Sequence, residues 1–359
     1  MSENFPLGFA LCVVAGFANG SWQLPLKHAS PSFLRILDAS AESGWAWENV
    51  WFLYTACSIV LSIIYTYCLI GSDTINAIFA SVDPGAVVMV CVFSALWGVG
   101  SFLFGLAVKL LGMALGTSLL LGVVLVLGTL LPLLYSNLDQ AHTLAFGLTL
   151  LGVVLGILGF SFSAVSGSHK PQDDDINIDV VSAPVQDIEL SGTEHRLGDD
   201  AGGVFASMLQ FAFVFGQPII DEAEDREVSA VNSSQPVWLL AFCCGGISNL
   251  AYPGYLMYTN VSAAPEDPQI AHRCFMSLVM AVVWMSHITI YGYSQSLMGE
   301  LGAGIAWPLI MITTVLTGQM WSVFLGEWAN IQPLALKWNF ASCVSLILGV
   351  VVIALGNSI

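Results

Sequence analysis

The feature that most constrains this chain is a series of continuous apolar runs, each about 20 residues long, the length at which a helix spans the roughly 30 Å hydrocarbon core of a bilayer. Transmembrane β-strands would instead alternate apolar and polar residues over about 10 positions. Runs such as Leu119–Leu134 show no such alternation. Since only helices and closed barrels satisfy their backbone polar groups in lipid, we predict an all-α polytopic membrane protein.

The composition excludes several other classes of protein. Hydrophobic residues make up 56% of the chain and charged residues only 9%, whereas a soluble domain is usually near a quarter charged. The net charge of -17 and the absence of a basic patch argue against nucleic-acid binding. The sequence has no phosphate-binding loop, nucleophile elbow or metal-ligand spacing. We therefore expect no enzyme activity, no cofactor and no metal site.

Hydropathy predicts ten membrane spans with one long connection between the fifth and the sixth. That connection, residues 167–202, is acidic and poor in aromatic residues, so we expect a disordered linker. It divides the chain into a first five-helix half, 1–166, and a second half, 203–359. The ten spans are residues 6–26, 48–70, 85–108, 113–135, 143–165, 203–220, 237–258, 274–296, 302–325 and 337–357.

The two halves resemble each other at a constant spacing. Trp97 and Trp284 are 187 residues apart, and so are Gly105 and Gly292. Because five spans is an odd number, the second half must enter the membrane from the opposite side. Two inverted five-helix repeats are typical of secondary transporters that alternate access around a midplane site. Chance recurrence of glycines in apolar sequence is the alternative.

Positive charges indicate the orientation of the chain, because cytoplasmic loops are enriched in Lys and Arg. The loops after odd-numbered spans hold nearly all of them, and the loops after even-numbered spans hold only Arg226. This places the linker in the cytoplasm and both termini outside. The charges on the odd-numbered loops are Lys27, Arg35, Lys109, Lys170, Arg196, Arg273 and Lys337.

A resemblance to a known family lies mainly in the third and fourth spans. Residues 95–134 carry a pattern of tryptophan, glycine and threonine that resembles the bacterial L-rhamnose–proton symporter family of the drug/metabolite transporter superfamily. The matching residues are Trp97, Gly98, Gly100, Gly105, Leu111, Gly112, Met113, Gly116, Gly122, Gly128 and Thr129, with further matches at Pro25, Lys27, Trp47, Glu48, Trp284, Tyr291, Glu327 and Trp328.

This resemblance implies ten helices and symport of a sugar with a cation. The sequence departs from the family pattern at two places. The linker is long and acidic where a shorter basic one is expected, which bears on regulation. His287 replaces a different polar residue in the eighth span, which bears on the identity of the sugar and of the coupling ion.

The eighth span carries the best candidate binding residues. Trp284, His287 and Tyr291 are spaced to share one helix face, and the repeat places Trp97 opposite them. Aromatic planes pack on the C–H surface of a sugar, while its hydroxyl groups need donors and acceptors. Histidine changes charge near neutral pH, so His287 is also a candidate for the coupled proton. The alternative is a histidine satisfied by a neighbouring helix.

Other polar residues in or beside the spans complete the candidate set. Asn19, Gln23 and Gln217 are candidate substrate ligands, because polar side chains inside a bilayer are costly and often functional. They could equally hold helices together. Lys27 and Glu48 flank the first loop and are candidates for a gate or for proton coupling.

We therefore predict a secondary transporter of the cell membrane, most similar to an L-rhamnose–proton symporter working by alternating access. Its partners would be a monosaccharide, a proton or other cation and the lipid bilayer. Another small-metabolite or drug permease of the same superfamily is one alternative. A membrane receptor or scaffold that signals through its acidic linker is the other.

Overall fold

The computed structural model describes residues 4–25, 47–136, 142–169, 192–260, 270–298, 302–324 and 331–356. All regular secondary structure in these ranges is helical, in agreement with the predicted fold class. The helices, in chain order, are α1 Phe5–Ser21, α2 Trp47–Ile70, α3 Ser72–Ser81, α4 Pro84–Ser136, α5 Leu144–Ser168, α6 Gly192–Phe215, α7 Gln217–Asp225, α8 Gln235–Asn260, α9 Ile270–Leu297, α10 Gly302–Phe324 and α11 Pro333–Gly356.

Seven helical segments are long and apolar enough to cross a membrane. Their outer faces expose large apolar side chains, for example Phe340 at 72% and Ile247 at 68% exposure. Exposed apolar surface on this scale marks contact with lipid or with another protein. The seven segments are Trp47–Ile70, Pro84–Gly105, Leu144–Ser168, Gly202–Asp225, Gln235–Thr259, Ile270–Leu297 and Pro333–Gly356. The chain is therefore a multi-pass integral membrane protein.

Helix α4 has 53 residues and would measure about 80 Å if it were straight. Instead it reverses direction. Leu103 and Leu120 both lie against Gly202, although 17 intervening steps along a straight helix would separate them by about 25 Å. The element thus has two arms, where the sequence predicts separate spans at 85–108 and 113–135. The difference is that the backbone stays helical between them.

The regions around the predicted linker also contain helix. Helix α5 continues to Ser168 and α6 begins at Gly192, so both ends of the predicted linker 167–202 are helical. Residues 170–191 lie outside the described part of the chain. The short helices α3 and α7 were not predicted. They are joined by Arg226, whose Nη2 donates to the Ser81 hydroxyl at 2.6 Å.

Helix packing brings the two halves of the chain together. Helix α1 contacts α9 and α10, α4 contacts α6 and α8, and α5 contacts α11. Helix α1 thus lies among helices from the other end of the sequence. The largest buried side chains include Trp51, Trp238 and Tyr291, and they fill the space between helices. A cavity remains beside them, and one of its walls is lined by smaller and polar groups.

Candidate functional site

A cavity of about 120 Å³ lies among α1, α2, α4, α6, α9 and α10. One water molecule needs roughly 10–15 Å³ on this measure, so the cavity has room for a solute of about ten heavy atoms. Small-molecule sites are typically concave and mostly apolar, with a few polar groups that fix the orientation of the ligand. The lining has this character, and its aromatic and polar residues lie on different helices.

The aromatic wall of the cavity is built from α1, α2, α4 and α9. Trp22 stacks on Tyr54 with ring centroids 5.0 Å apart and meets Trp284 edge-on at 5.2 Å. Trp284 lies nearly parallel to Trp97, with an interplanar angle of 6° and a centroid distance of 6.2 Å. The four rings line the cavity together and form a continuous apolar surface. The sequence offset that pairs Trp97 with Trp284 thus joins two residues that contact each other.

His287 belongs to the same wall. Its ring centroid is 4.3 Å from that of Trp284, one helical turn earlier, and the residue is 3% exposed. Its Nδ1 atom makes no hydrogen bond among the described residues. An imidazole in this position borders the cavity and contacts the ring of Trp284.

The polar wall is formed by the last turns of α1 and by one stripe of α10. Asn19 Nδ2 donates to Thr314 Oγ1 at 3.0 Å, and the Thr314 hydroxyl donates to the Ile310 carbonyl at 2.7 Å. One turn further along α10, Gln319 Nε2 donates to Ser163 Oγ at 2.6 Å. The α10 stripe follows helical spacing, and its lining residues are Met311, Thr314, Val315, Gly318, Gln319 and Ser322.

Besides His287 Nδ1, two buried polar atoms in these walls make no hydrogen bond within the described part of the chain. Among the described residues, neither Trp284 Nε1 nor Gln319 Oε1 makes a hydrogen bond. Leaving a buried donor or acceptor unsatisfied costs about 1–3 kcal/mol. One atom is a donor on the aromatic wall and the other is an acceptor on the polar wall.

Tyr291 lies outside the cavity lining, although it shares a face of α9 with His287. Its hydroxyl donates to Gln210 Oε1 at 2.7 Å. Its ring packs against Phe213 at 5.2 Å and Trp307 at 5.7 Å. Trp307 in turn donates to the Val124 carbonyl at 3.3 Å. These residues form a packed layer at the end of the cavity nearest the C-terminus of α9.

The remaining predicted site residues have different positions. Gln23 lines the cavity and is 8% exposed. Gln217 is exposed at the start of α7, where its Nε2 donates to Asp221 at 2.8 Å, and it is not part of the lining. Glu48 is buried in the first turn of α2 and also lies outside the lining. Lys27 lies outside the described residues, so its pairing with Glu48 stays a prediction.

Many lining residues were not among the predicted ligands, and they include Tyr54, Thr314 and Gln319. The signal for two of them is present in the ninth span, where Thr313, Thr314, Thr317 and Gln319 interrupt an apolar run. Polar residues at such depth deserve the same interpretation as Asn19. Tyr54 has no comparable signal, because tyrosine is frequent near span ends for interfacial reasons.

Comparison with known proteins places the chain in a family. The sequence model of the L-rhamnose-proton symport protein (RhaT) family matches residues 31–359. The L-rhamnose-proton symporter of Shigella dysenteriae serotype 1 is 24% identical over 322 residues, covering 87% of this chain and 90% of the relative. The proteins of the same name from Enterobacter sp. strain 638 and Pectobacterium atrosepticum are 24% and 23% identical, covering 87% and 88% of this chain and 90% and 91% of the relatives.

Proposed function

Because the chain belongs to the L-rhamnose-proton symport protein family, we propose that it moves a monosaccharide similar to L-rhamnose across the cell membrane together with a proton. The observation that carries this proposal is a cavity between helices with an aromatic wall on one side and a polar wall on the other. The activity is transport rather than catalysis, and the partners are the sugar, the proton and the lipid bilayer.

The chemistry of the cavity suits a deoxy sugar. L-Rhamnose has a ring with C–H surface, a methyl group and several hydroxyl groups. The C–H surface and the methyl group would pack on Trp22, Trp97 and Trp284, since aromatic planes bury apolar surface at little cost. The hydroxyl groups would face Asn19 and Gln319, whose amides both donate and accept hydrogen bonds.

His287 is the residue that we propose exchanges the coupled proton. It borders the cavity, it contacts Trp284 of the aromatic wall, and imidazole is the side chain that titrates near neutral pH. Glu48, another proton-coupling candidate, is a buried carboxyl residue of α2. A proton on His287 and a sugar hydroxyl in the same cavity would affect each other directly, which is what symport requires.

The architecture that would move these groups is a pair of inverted five-helix repeats, residues 1–166 and 203–359, joined by a cytoplasmic linker. Its ten passes are α1, α2, both arms of α4, α5, α6, α8, α9, α10 and α11. Helix contacts support the pairing of the halves. Gly16 of α1 packs on Thr313 of α10, and Gly203 of α6 packs on Val123 of α4.

Several other helix contacts support the same symmetry. In the proposed repeat, α1 is equivalent to α6 and α9 is equivalent to the first arm of α4. The contact of α1 with α9 therefore corresponds to the contact of α6 with the first arm of α4. The α2–α9 contact likewise becomes that of α8 with α4, while α5–α11 and α2–α8 are their own counterparts. The stacked pair Trp97 and Trp284 lies where such a two-fold axis would pass. Inverted repeats of this kind rock against each other to alternate access.

Sugar counterflow in proteoliposomes tests the proposed function. The purified full-length protein should exchange labelled L-rhamnose for unlabelled L-rhamnose, and an imposed inward proton gradient should drive accumulation. A panel of hexoses, 6-deoxyhexoses and pentoses would define the specificity. No exchange of any of these sugars by correctly folded protein would overturn the proposal.

A blocked variant provides the matched control for that experiment. Gly318 lies on the cavity stripe of α10, and no atom lies within 4 Å of where its Cβ would be. Gly318→Leu should therefore fill the cavity and abolish exchange while the protein stays folded. Gly147 of α5 is exposed and equally open but far from the cavity lining, so Gly147→Leu should transport normally.

A further inference from the structure

Gln319 holds a fixed position in the polar wall. It is 7% exposed, and its Nε2 donates to Ser163 Oγ at 2.6 Å. Ser163 lies on α5 and is 1% exposed, so the bond joins the cavity stripe of α10 to a helix behind it. In this structure the Nε2 end of the amide meets Ser163. The other end, Oε1, is then an acceptor with a set direction.

The acceptor atom has no partner of its own. Among the described residues, Gln319 Oε1 is buried and makes no hydrogen bond. Such an atom costs about as much as a lost hydrogen bond, and native structures rarely keep one without a reason. Gln319 forms part of the cavity lining, so a bound solute would contact its side chain and could offer the missing donor.

We propose that Gln319 is a specificity-determining residue that accepts a hydrogen bond from one sugar hydroxyl, and that Ser163 is the residue that positions it. This inference rests on the proposed sugar transport. Ser163 does not line the cavity, so it would affect the sugar through Gln319. Without the Ser163 hydroxyl, the amide of Gln319 can rotate or flip, and its acceptor oxygen loses its fixed direction.

The consequence is selectivity for one hydroxyl group. A site built around a hydrogen-bonding group discriminates against an analogue that lacks the matching hydroxyl, because the buried protein atom is then left unpaired. Packing on the aromatic wall cannot supply this discrimination, since the ring surface of a deoxy analogue is nearly unchanged. Gln319 would therefore separate sugars that the tryptophans bind about equally.

The test compares L-rhamnose with its monodeoxy analogues, each lacking one ring hydroxyl, as competitors of L-rhamnose counterflow in proteoliposomes. In the wild-type protein, one analogue should bind about 3- to 10-fold more weakly because of the lost bond to Gln319. Gln319→Met keeps the size of the side chain but has no acceptor. This variant should weaken the binding of L-rhamnose by that factor and leave the affinity for that one analogue unchanged.

A double-mutant cycle tests the role of Ser163. Ser163→Ala should raise the KM for L-rhamnose about 3-fold, with little change in maximal rate, and should have no further effect in the Gln319→Met background. Ser166→Ala is the matched control, because Ser166 lies on the same helix but donates to the Ala335 carbonyl at 2.7 Å. It should leave the preference among analogues unchanged.

The outcomes separate the inference from the proposed function. If the wild-type protein exchanges no sugar, the proposed function and this inference both fail. If L-rhamnose is exchanged but Gln319→Met weakens the binding of L-rhamnose and of all analogues equally, Gln319 is a packing residue and the inference alone fails. Additive effects of Ser163→Ala and Gln319→Met would show that Ser163 does not act through Gln319.

Discussion

The seam between α5 and α11 and the cavity both place polar side chains inside the membrane, but they satisfy them differently. In the seam, Ser342 donates to the Gly159 carbonyl and Ser345 to the Leu155 carbonyl, each at 2.7 Å. In the cavity, Trp284 Nε1 and Gln319 Oε1 have no partner among the described residues. The protein thus completes the hydrogen bonds of these two seam serines, whereas it leaves these two cavity atoms without a partner in the described part of the chain.

Glycines differ between the two regions in the same way. A Cβ at Gly152 of the seam would lie 2.9 Å from the Gly349 carbonyl oxygen and would overlap Ile353. A Cβ at Gly318 of the cavity would meet nothing within 4 Å. The seam uses small residues to bring helices into close contact, whereas the cavity uses one to keep space open.

The largest effect is expected from enlarging a seam glycine. Gly152→Leu places a side chain where backbone and Ile353 already lie, and overpacking of this kind costs about 1–3 kcal/mol or more when the backbone cannot move. We expect a strong loss of folded protein, measured as the monodisperse fraction in detergent and as thermal stability. Gly147→Leu on the same helix is the control and should behave as the wild type. A stable Gly152→Leu variant would mean that the seam is not tightly packed.

The second effect is on binding at the aromatic wall. Trp284→Ala removes the ring that contacts Trp22, Trp97 and His287. A loss of about 1–3 kcal/mol in binding corresponds to roughly 5- to 150-fold weaker affinity for L-rhamnose. Trp284→Phe should retain part of the affinity. Counterflow at varied sugar concentration measures both variants.

Thermal stability decides how the Trp284 result is interpreted. If Trp284→Ala lowers the unfolding temperature while the apparent affinity for the sugar stays normal, the ring serves packing alone. The aromatic wall would then be no different from the seam, and the distinction between the two regions would rest on Gln319 only.

A third prediction concerns the proton. His287→Gln keeps hydrogen-bonding capacity in the cavity but cannot change charge near neutral pH. We expect sugar counterflow to survive at about the wild-type rate, while accumulation driven by a pH gradient is lost. Both are measured in the same proteoliposomes. Normal accumulation by His287→Gln would mean that another group carries the coupled proton. Glu48 would then be the next residue to substitute.

The contrast between the two regions also explains what the sequence could predict. Hydropathy predicts the helices because lipid demands long apolar segments, and a constant offset of 187 residues predicts the pairing of Trp97 with Trp284. The sequence predicts two spans where α4 is one helix, because hydropathy identifies apolar spans and does not indicate whether the backbone stays helical between them. The helical start at Gly192 was missed because polar composition outweighs helix signals in such a stretch.

Hydrogen-bond partners were the hardest part to predict. Gln319 and Ser163 are 156 residues apart, and no local pattern links them. Tyr291 shares a helix face with His287, yet it bonds Gln210 in the layer beyond the cavity, because spacing gives the direction of a side chain and not the depth at which a cavity ends. The candidates Asn19 and Gln23 line the cavity, while their role in binding stays a prediction.

The smallest effect is expected for a hydroxyl in the seam, and it is the sharpest test of the comparison. Ser166 of α5 is 1% exposed and donates to the Ala335 carbonyl of α11. Hydrogen bonds between membrane helices contribute about 0.6 kcal/mol on average, so Ser166→Ala should lower stability slightly and leave transport unchanged. Ser161→Ala is the matched control on the same helix, because its hydroxyl is exposed and bonds the Ile157 carbonyl of its own helix. A reversible unfolding titration can resolve the two. If Ser166→Ala instead changes sugar affinity, a fully bonded polar residue can affect the site, and complete hydrogen bonding would no longer separate the structural residues from the functional ones.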